Sequence, residues 1–213
     1  MPTPLEIRKI LCWDGLVYSF QVLEYYHTEL YPVCCEIQVD NQKIVVALAS
    51  CWGFIDTLNR IRQLAQSVPG LSQKHPEMRL FFDATGLAEQ YRHYIQHLRN
   101  EIAKDPPNEF PVWGSLSWVD PNNKRRAHTA ILGAQINGVN YSSCVFDTLE
   151  KKWVSKVCLG VNHSSFNFDS IFDASLRFKC FIISYFLEGT ANSLNYQHRL
   201  PIMTVEFPSE IVS

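Results

Sequence analysis

Leu16, Tyr18, Phe20 and Val22 alternate with Ser19 and Gln21 in the run Leu16 to Tyr25, a period of two that puts one side of an extended strand on a core. Ile7 to Trp13 precedes this run, and Asp14-Gly15 between them suits the positive φ angles of a tight hairpin. Val33, Cys35, Ile37 and Val39 then alternate against Cys34, Glu36 and Gln38, and Asp40-Asn41-Gln42 turns the chain into Lys43 to Ser50. The pattern predicts four strands in a meander. From Trp52 to Val68 the period changes: Phe54, Ile55, Leu58, Ile61, Leu64 and Ala65 fall at helical spacing with Asp56, Asn59, Arg60, Arg62 and Gln63 opposite, and Pro69-Gly70 stops the helix.

Met78 to Phe82 is a short apolar run that fits either a buried strand or the start of a helix, and it ends in Asp83-Ala84-Thr85-Gly86. Leu87, Tyr91, Tyr94, Ile95, Leu98 and Ile102 form one helical stripe, which predicts a central helix over Leu87 to Ala103 closed by Pro106-Pro107. The second half repeats the opening theme. Val112 to Val119, Ala127 to Ile136, Val139 to Asp147 and Trp153 to Val161 read as strands joined by Pro121 to Arg126, Asn137-Gly138 and Leu149 to Lys152, and Asn-Gly is a strong hairpin signal. Ser164 or Ser165 is placed to cap a helix over Phe166 to Leu187, in which Phe172, Leu176 and Phe181 are expected in the core. Gly189 to Gln197 reads as a polar loop and Leu200 to Phe207 as a last strand.

The expected fold class is α+β: two antiparallel β-meanders, each followed by a helix, with an additional central helix. The alternative is one continuous sheet with helices on a single face. Residues 1–70, 71–110 and 111–213 mark the first meander with its helix, the connector with the central helix, and the second meander with its helix, together one compact unit. The matching order of elements suggests a duplication, although the halves do not align residue by residue.

Composition narrows the setting. Hydrophobic residues make up 46% and charged residues 19%, a globular balance, and a net charge of −2 gives no general attraction to nucleic acid or anionic membrane. No apolar run reaches the roughly 20 residues a membrane span needs, and the N-terminus lacks the pattern of a secretory signal. These features predict a cytoplasmic protein without membrane contact. Seven cysteines, an odd number without a Cys-x-x-Cys pair, fit small buried hydrophobes better than a disulfide or zinc framework.

Candidate chemistry is sparse. His93 and His97 are four apart on the central helix, a geometry zinc can use, but Tyr94 stands where the Glu of His-Glu-x-x-His would be, so no metal site is assigned. The segment Arg92-His93-Tyr94-Ile95-Gln96-His97 is similar to the Arg-polar-x-x-x-His motif of the HEPN ribonucleases, which are helical bundles. The resemblance implies His97 in acid/base work at the ribose and Arg92 at the phosphate. If Met78 to Phe82 is a strand, the element order together with the Asp83-Ala84-Thr85-Gly86 loop resembles the start of the RNase H-like fold and its phage terminase nucleases. That resemblance implies Asp83 as a ligand for divalent metal, the one reading that calls for a cofactor. The simpler account has Asp83 or Thr85 capping the following helix.

The turns carry a local cluster that the net charge hides. In a four-strand meander the first and third turns lie at one end of the sheet, roughly 10 Å apart, which would bring Lys124, Arg125, Arg126, Lys151 and Lys152 together against an anionic partner. With no convergent catalytic set and abundant aromatic residues, among them Trp52, Trp113, Trp118 and Trp153, the sequence is read first as a non-enzymatic interaction protein, an accessory subunit of an intracellular complex that contacts nucleic acid or an acidic protein surface. A nuclease around Asp83 or around Arg92 and His97 is the alternative. A small-ligand carrier, with the curved sheet around the apolar helix Phe166 to Leu187, is the third reading.

Overall fold

The structure, a computed structural model, describes residues 3–134 and 143–189. It is an α+β fold in which the first half is helical and the second half carries the sheet. Helix α1 spans Pro4–Glu36 and α2 spans Lys43–Ser67, so the expected first meander is two long helices joined by a short connection at Asp40-Asn41-Gln42. The physical reason lies in which apolar residues are buried. Cys12, Leu16, Phe20, Leu23, Leu30, Cys34 and Ile37 are enclosed, at intervals of three, four and seven, the period of one helix face. Tyr18 and Val22, which created the alternation, point outward. A capping box starts the helix: the Thr3 hydroxyl accepts from the Glu6 N–H while the Glu6 carboxylate accepts from the Thr3 N–H, with Pro4 in the first turn.

In α2 the enclosed residues Ala47, Cys51, Phe54, Leu58, Ile61 and Ala65 begin well before Trp52, which extends the expected helix back to Lys43. Among the described helices α2 alone has the length and apolarity to cross a membrane, and half of that apolar window is enclosed by the bundle. Met78 to Phe82 belongs to helix α3 (Pro76–Ala84), not to a strand. The central helix divides at His97 into α4 (Gly86–Gln96) and α5 (Leu98–Ile102).

Strand β1 (Ser115–Val119) pairs antiparallel with β2 (Ala127–Ile131), and the Pro121 to Arg126 turn joins them as expected. β3 (Phe146–Asp147) and β4 (Lys152–Trp153) form a separate two-stranded ribbon. β5 (Val157–Val161) then returns beside β1, and β6 (Ser164–Asn167) follows it, giving the sheet order β2-β1-β5-β6. All four strands of that sheet come from the second half, so among the described residues there is neither a duplicated meander nor one sheet running through both halves. Ser164 and Ser165 lie in β6 and do not cap the next helix, α6 (Phe168–Gly189). The Asn137-Gly138 turn and the expected strand Leu200 to Phe207 lie outside the described residues.

The helices pack α1 on α2, α2 on α4, α3 on α6 and α6 on α1, and β1 and β5 lie against α1. One core joins the layers: Leu116, Trp118, Leu159 and Phe166 of the sheet meet Phe54, Tyr91 and Phe178 of the helices. α6 is amphipathic, with Phe168, Ile171, Phe178, Ile182 and Phe186 enclosed. Phe172, Leu176 and Phe181 sit at its half-buried margins, so the expectation of full burial there is corrected, and Asp173 and Arg177 face solvent. Four cysteines, Cys12, Cys34, Cys51 and Cys158, are buried and all seven are free. Burial pushes the Cys34 and Cys51 thiols up, and Cys158 to about 12, which keeps them protonated and unreactive at neutral pH.

Candidate functional site

Helix α4 presents two faces with opposite roles. On the buried face the Tyr91 hydroxyl accepts from the Val161 N–H at 3.2 Å, and its single proton is shared between the carbonyls of Leu159 and Ser164, each at 2.9 Å. Burial pushes its pKa up to about 12. The Tyr94 hydroxyl donates to the Val112 carbonyl at 2.8 Å, and burial, with the charge of Glu101, raises it too. Tyr91 fixes α4 on β5 and β6, Tyr94 ties it to the segment that leads into β1, and the other face of the helix is left outward.

That outward face carries Arg92, His93 and His97. Arg92 Nε donates to Asp56 Oδ1 of α2 at 3.1 Å, and Asp56 Oδ2 accepts from Arg60 at 2.6 Å, so one carboxylate holds two guanidinium groups. His93 and His97 are exposed, with ring centroids 4.4 Å apart. His97 sits at the C-cap, where its N–H donates to the His93 carbonyl. Arg92 and His97 are about 7.5 Å apart along the helix axis, with His93 between them in angle. Sequence spacing found Arg92, His93 and His97. It missed Asp56 and Arg60, although their four-residue separation on a helix was a usable sign of a surface ion pair.

Asp83 does not join a carboxylate cluster. It is exposed on α3, the strand on which the RNase H-like resemblance depends is a helix, and among the described residues no three His, Cys, Asp or Glu side chains gather to hold a metal. Thr85 does occupy the N-cap of α4, yet its hydroxyl makes no cap hydrogen bond: it donates to the Phe81 carbonyl at 2.6 Å and accepts from buried Arg62 at 2.7 Å. Arg62 also donates to the Phe82 carbonyl and to Glu89, and lies over the Phe82 ring. The Asp-Ala-Thr-Gly segment is thus a helix junction pinned by one arginine.

The five cations of the turns divide. Arg126 lies 3.7 Å from Asp120 and Lys152 pairs with Glu150. Lys124, Arg125 and Lys151 are exposed and make no ion pair among the described residues. The two turns belong to different sheets, so the spacing argument that joined them does not apply. The foot of the β3–β4 ribbon nevertheless sits at the end of β1, where Val119 packs with Val145 and Val154.

Two His–Asp pairs escaped sequence reasoning because their partners lie on different elements. In the β1–β2 turn Asp120 accepts from His128 at 3.0 Å, and the backbone N–H of Asn122, aided by His128 and the N–H of Asn123, holds its carboxyl below the usual range. His27 of α1 contacts Asp169 at 2.9 Å and stacks on Phe172, centroids 3.8 Å apart. Burial pushes Asp169 up, but the His27 ring and the Lys156 N–H outweigh it and hold the carboxyl below its ordinary value. Nearby Ser155 donates to the Val157 carbonyl, so its proton is not offered to His27 and no nucleophile is assembled. The Asp169 pair is structural. A depressed carboxylate pKa contributes stability that is present above its unfolded value of about 3.9 and lost as pH falls through the folded value. Asp169→Asn should therefore cost about 1 to 2 kcal/mol at pH 7, and denaturation midpoints of variant and parent should converge as pH falls below 4.

No protein-family model, curated protein or solved structure matches this chain.

Proposed function

We propose that the chain is a ribonuclease of the HEPN kind that works without metal from the exposed face of α4. The observation that carries this reading is the surroundings of the Arg92–His97 segment: a helix of a helical bundle, anchored from beneath by Tyr91 and Tyr94, with Arg92 held by Asp56 and both imidazoles open to solvent. HEPN domains are bundles, and the helical first half fits that expectation where a strand-rich one would not.

His97 takes the proton from a ribose 2′-hydroxyl, and the 2′-oxygen then bonds to the adjacent phosphorus while the bond from phosphorus to the 5′-oxygen breaks. The leaving oxygen takes its proton from water and the hydroxide so formed takes back the proton held by His97, giving a 2′,3′-cyclic phosphate and a 5′-hydroxyl. Arg92 stabilises the negative charge that builds on the phosphoryl oxygens. The His93 and His97 rings are in contact, too close to bracket a phosphate, so His93 serves to hold the His97 ring. Cleavage of single-stranded RNA in excess chelator, with product ends identified by mass spectrometry, tests the proposal. His97→Ala should lower the rate about a hundredfold or more, with the melting temperature unchanged. Cleavage at the parent rate by that variant would refute it.

A second reading, an accessory subunit, is supported by α1. Leu11, Tyr18 and Tyr25 recur every seventh residue at 64%, 40% and 63% exposure, with Val22 among them, a stripe of the kind that docks partners. A folded chain that cleaves no RNA favours this reading, with Lys124, Arg125 and Lys151 as its cationic contacts for an anionic partner.

A further inference from the structure

We infer that Arg60 is a second phosphate-binding side chain of the α4 site and that Asp56 is the positioning residue that sets it beside Arg92. The inference rests on the ribonuclease reading and deepens it: the ligand is an RNA strand lying across α2 and α4, with Arg92 at the scissile phosphate and Arg60 at its neighbour.

The two guanidinium groups would repel each other if left alone on a surface. Asp56 holds them within the span of one carboxylate, Oδ1 on Arg92 Nε at 3.1 Å and Oδ2 on Arg60 at 2.6 Å. A carboxylate bridging two cations leaves a local surplus of one positive charge, in a chain whose net charge is −2. A guanidinium carries five donors in a planar fork. Arg92 meets Asp56 through Nε and Arg60 through a terminal nitrogen, so each keeps donors for phosphate oxygens. Exposure grades the pair: the Arg92 side chain is 31% exposed and that of Arg60 66%, as suits an inner, fixed contact and an outer, adaptable one. An ordinary surface ion pair between residues four apart would explain the Asp56–Arg60 contact alone. It would not explain why the same carboxylate reaches across to the arginine of the neighbouring helix.

The test uses the His97→Ala chain, so that RNA is not consumed, and a short fluorescein-labelled single-stranded RNA followed by anisotropy over a series of KCl concentrations. Arg60→Gln should weaken binding about fivefold at low salt and reduce the salt slope of log K by about 0.7, the contribution of one lost phosphate contact on a single strand. Arg60→Lys should restore most of the affinity, since charge and reach are kept. In the cleaving parent, Asp56→Asn should lower kcat more than it changes KM, because Arg92 loses its position while both cations remain. Unchanged affinity and salt slope in Arg60→Gln, in a chain that binds and cleaves RNA, would overturn the assignment and leave the ribonuclease reading intact. A parent chain that neither binds nor cleaves RNA would overturn both.

Discussion

Phe54→Ala should destabilise the fold by about 3 to 5 kcal/mol, read as a shift in the denaturant midpoint with an unchanged slope. Phe54 is fully buried near the middle of α2, and four rings surround it: Phe168 at 5.2 Å and Phe166 at 6.1 Å edge-on, His27 at 6.4 Å and Phe172 at 6.5 Å. Those neighbours come from α1, β6 and α6, so the ring sits where the helical half meets the sheet half. Removing it deletes the transfer energy of a large apolar side chain and leaves a cavity whose walls are other aromatic rings, each held by its own element and slow to collapse. Phe54→Leu refills much of the volume and should cost distinctly less. A shift below about 1 kcal/mol for Phe54→Ala would mean that the two halves do not share a core at this point.

The helical nature of the first half was present in the sequence but masked. The intervals from Cys12 to Ile37 fit one helix face, yet Tyr18, Val22, Val33 and Val39 add apolar and β-branched residues that imitate alternation over short windows. A window longer than one strand, or weight on Thr3-Pro4 followed by Glu6, resolves the ambiguity, because a capping box has no use at the start of a strand. Asp14-Gly15 misled for a related reason: the pair suits a hairpin, but a helix of 33 residues absorbs one glycine at a cost of about 1 kcal/mol. The second half was more legible, since the strands β1, β2 and β5 and helix α6 lie where the pattern put them. The crossing of β5 back to β1 was not, because pairing order depends on contacts that no local pattern carries. The site divides the same way. Arg92, His93 and His97 lie on one helix and were visible as spacing, whereas the link from Arg92 to Asp56 joins residues 36 apart and that from His27 to Asp169 joins residues 142 apart.

Gly114→Ala should destabilise the protein by about 2 to 5 kcal/mol and should disturb α4 as well as the sheet. Gly114 enters β1 at φ +84°, a left-handed conformation that costs a residue with a Cβ roughly 1 to 2 kcal/mol. A Cβ there would also lie 2.1 Å from the Gly160 carbonyl oxygen, and that obstacle is backbone in the strand paired with β1, at the Ser115–Gly160 register position. It cannot swing aside as a side chain tip can. Relief requires β1 and β5 to separate at this end, which loosens the Leu159 carbonyl and Val161 N–H on either side of Gly160, the groups that hold the Tyr91 hydroxyl. The variant is therefore expected to speed amide hydrogen exchange in α4 and, under the ribonuclease reading, to lower cleavage without touching Arg92 or His97. Gly70→Ala separates the two contributions: Gly70 has the same φ of +84°, but its Cβ would meet only the end of the Tyr185 side chain at 3.0 Å. It should cost about 1 to 2 kcal/mol, the conformational part alone, and leave α4 exchange unchanged. Equal losses in the two variants would show that the close approach of β1 to β5 at Gly160 adds nothing, and that Tyr91 is not held through it.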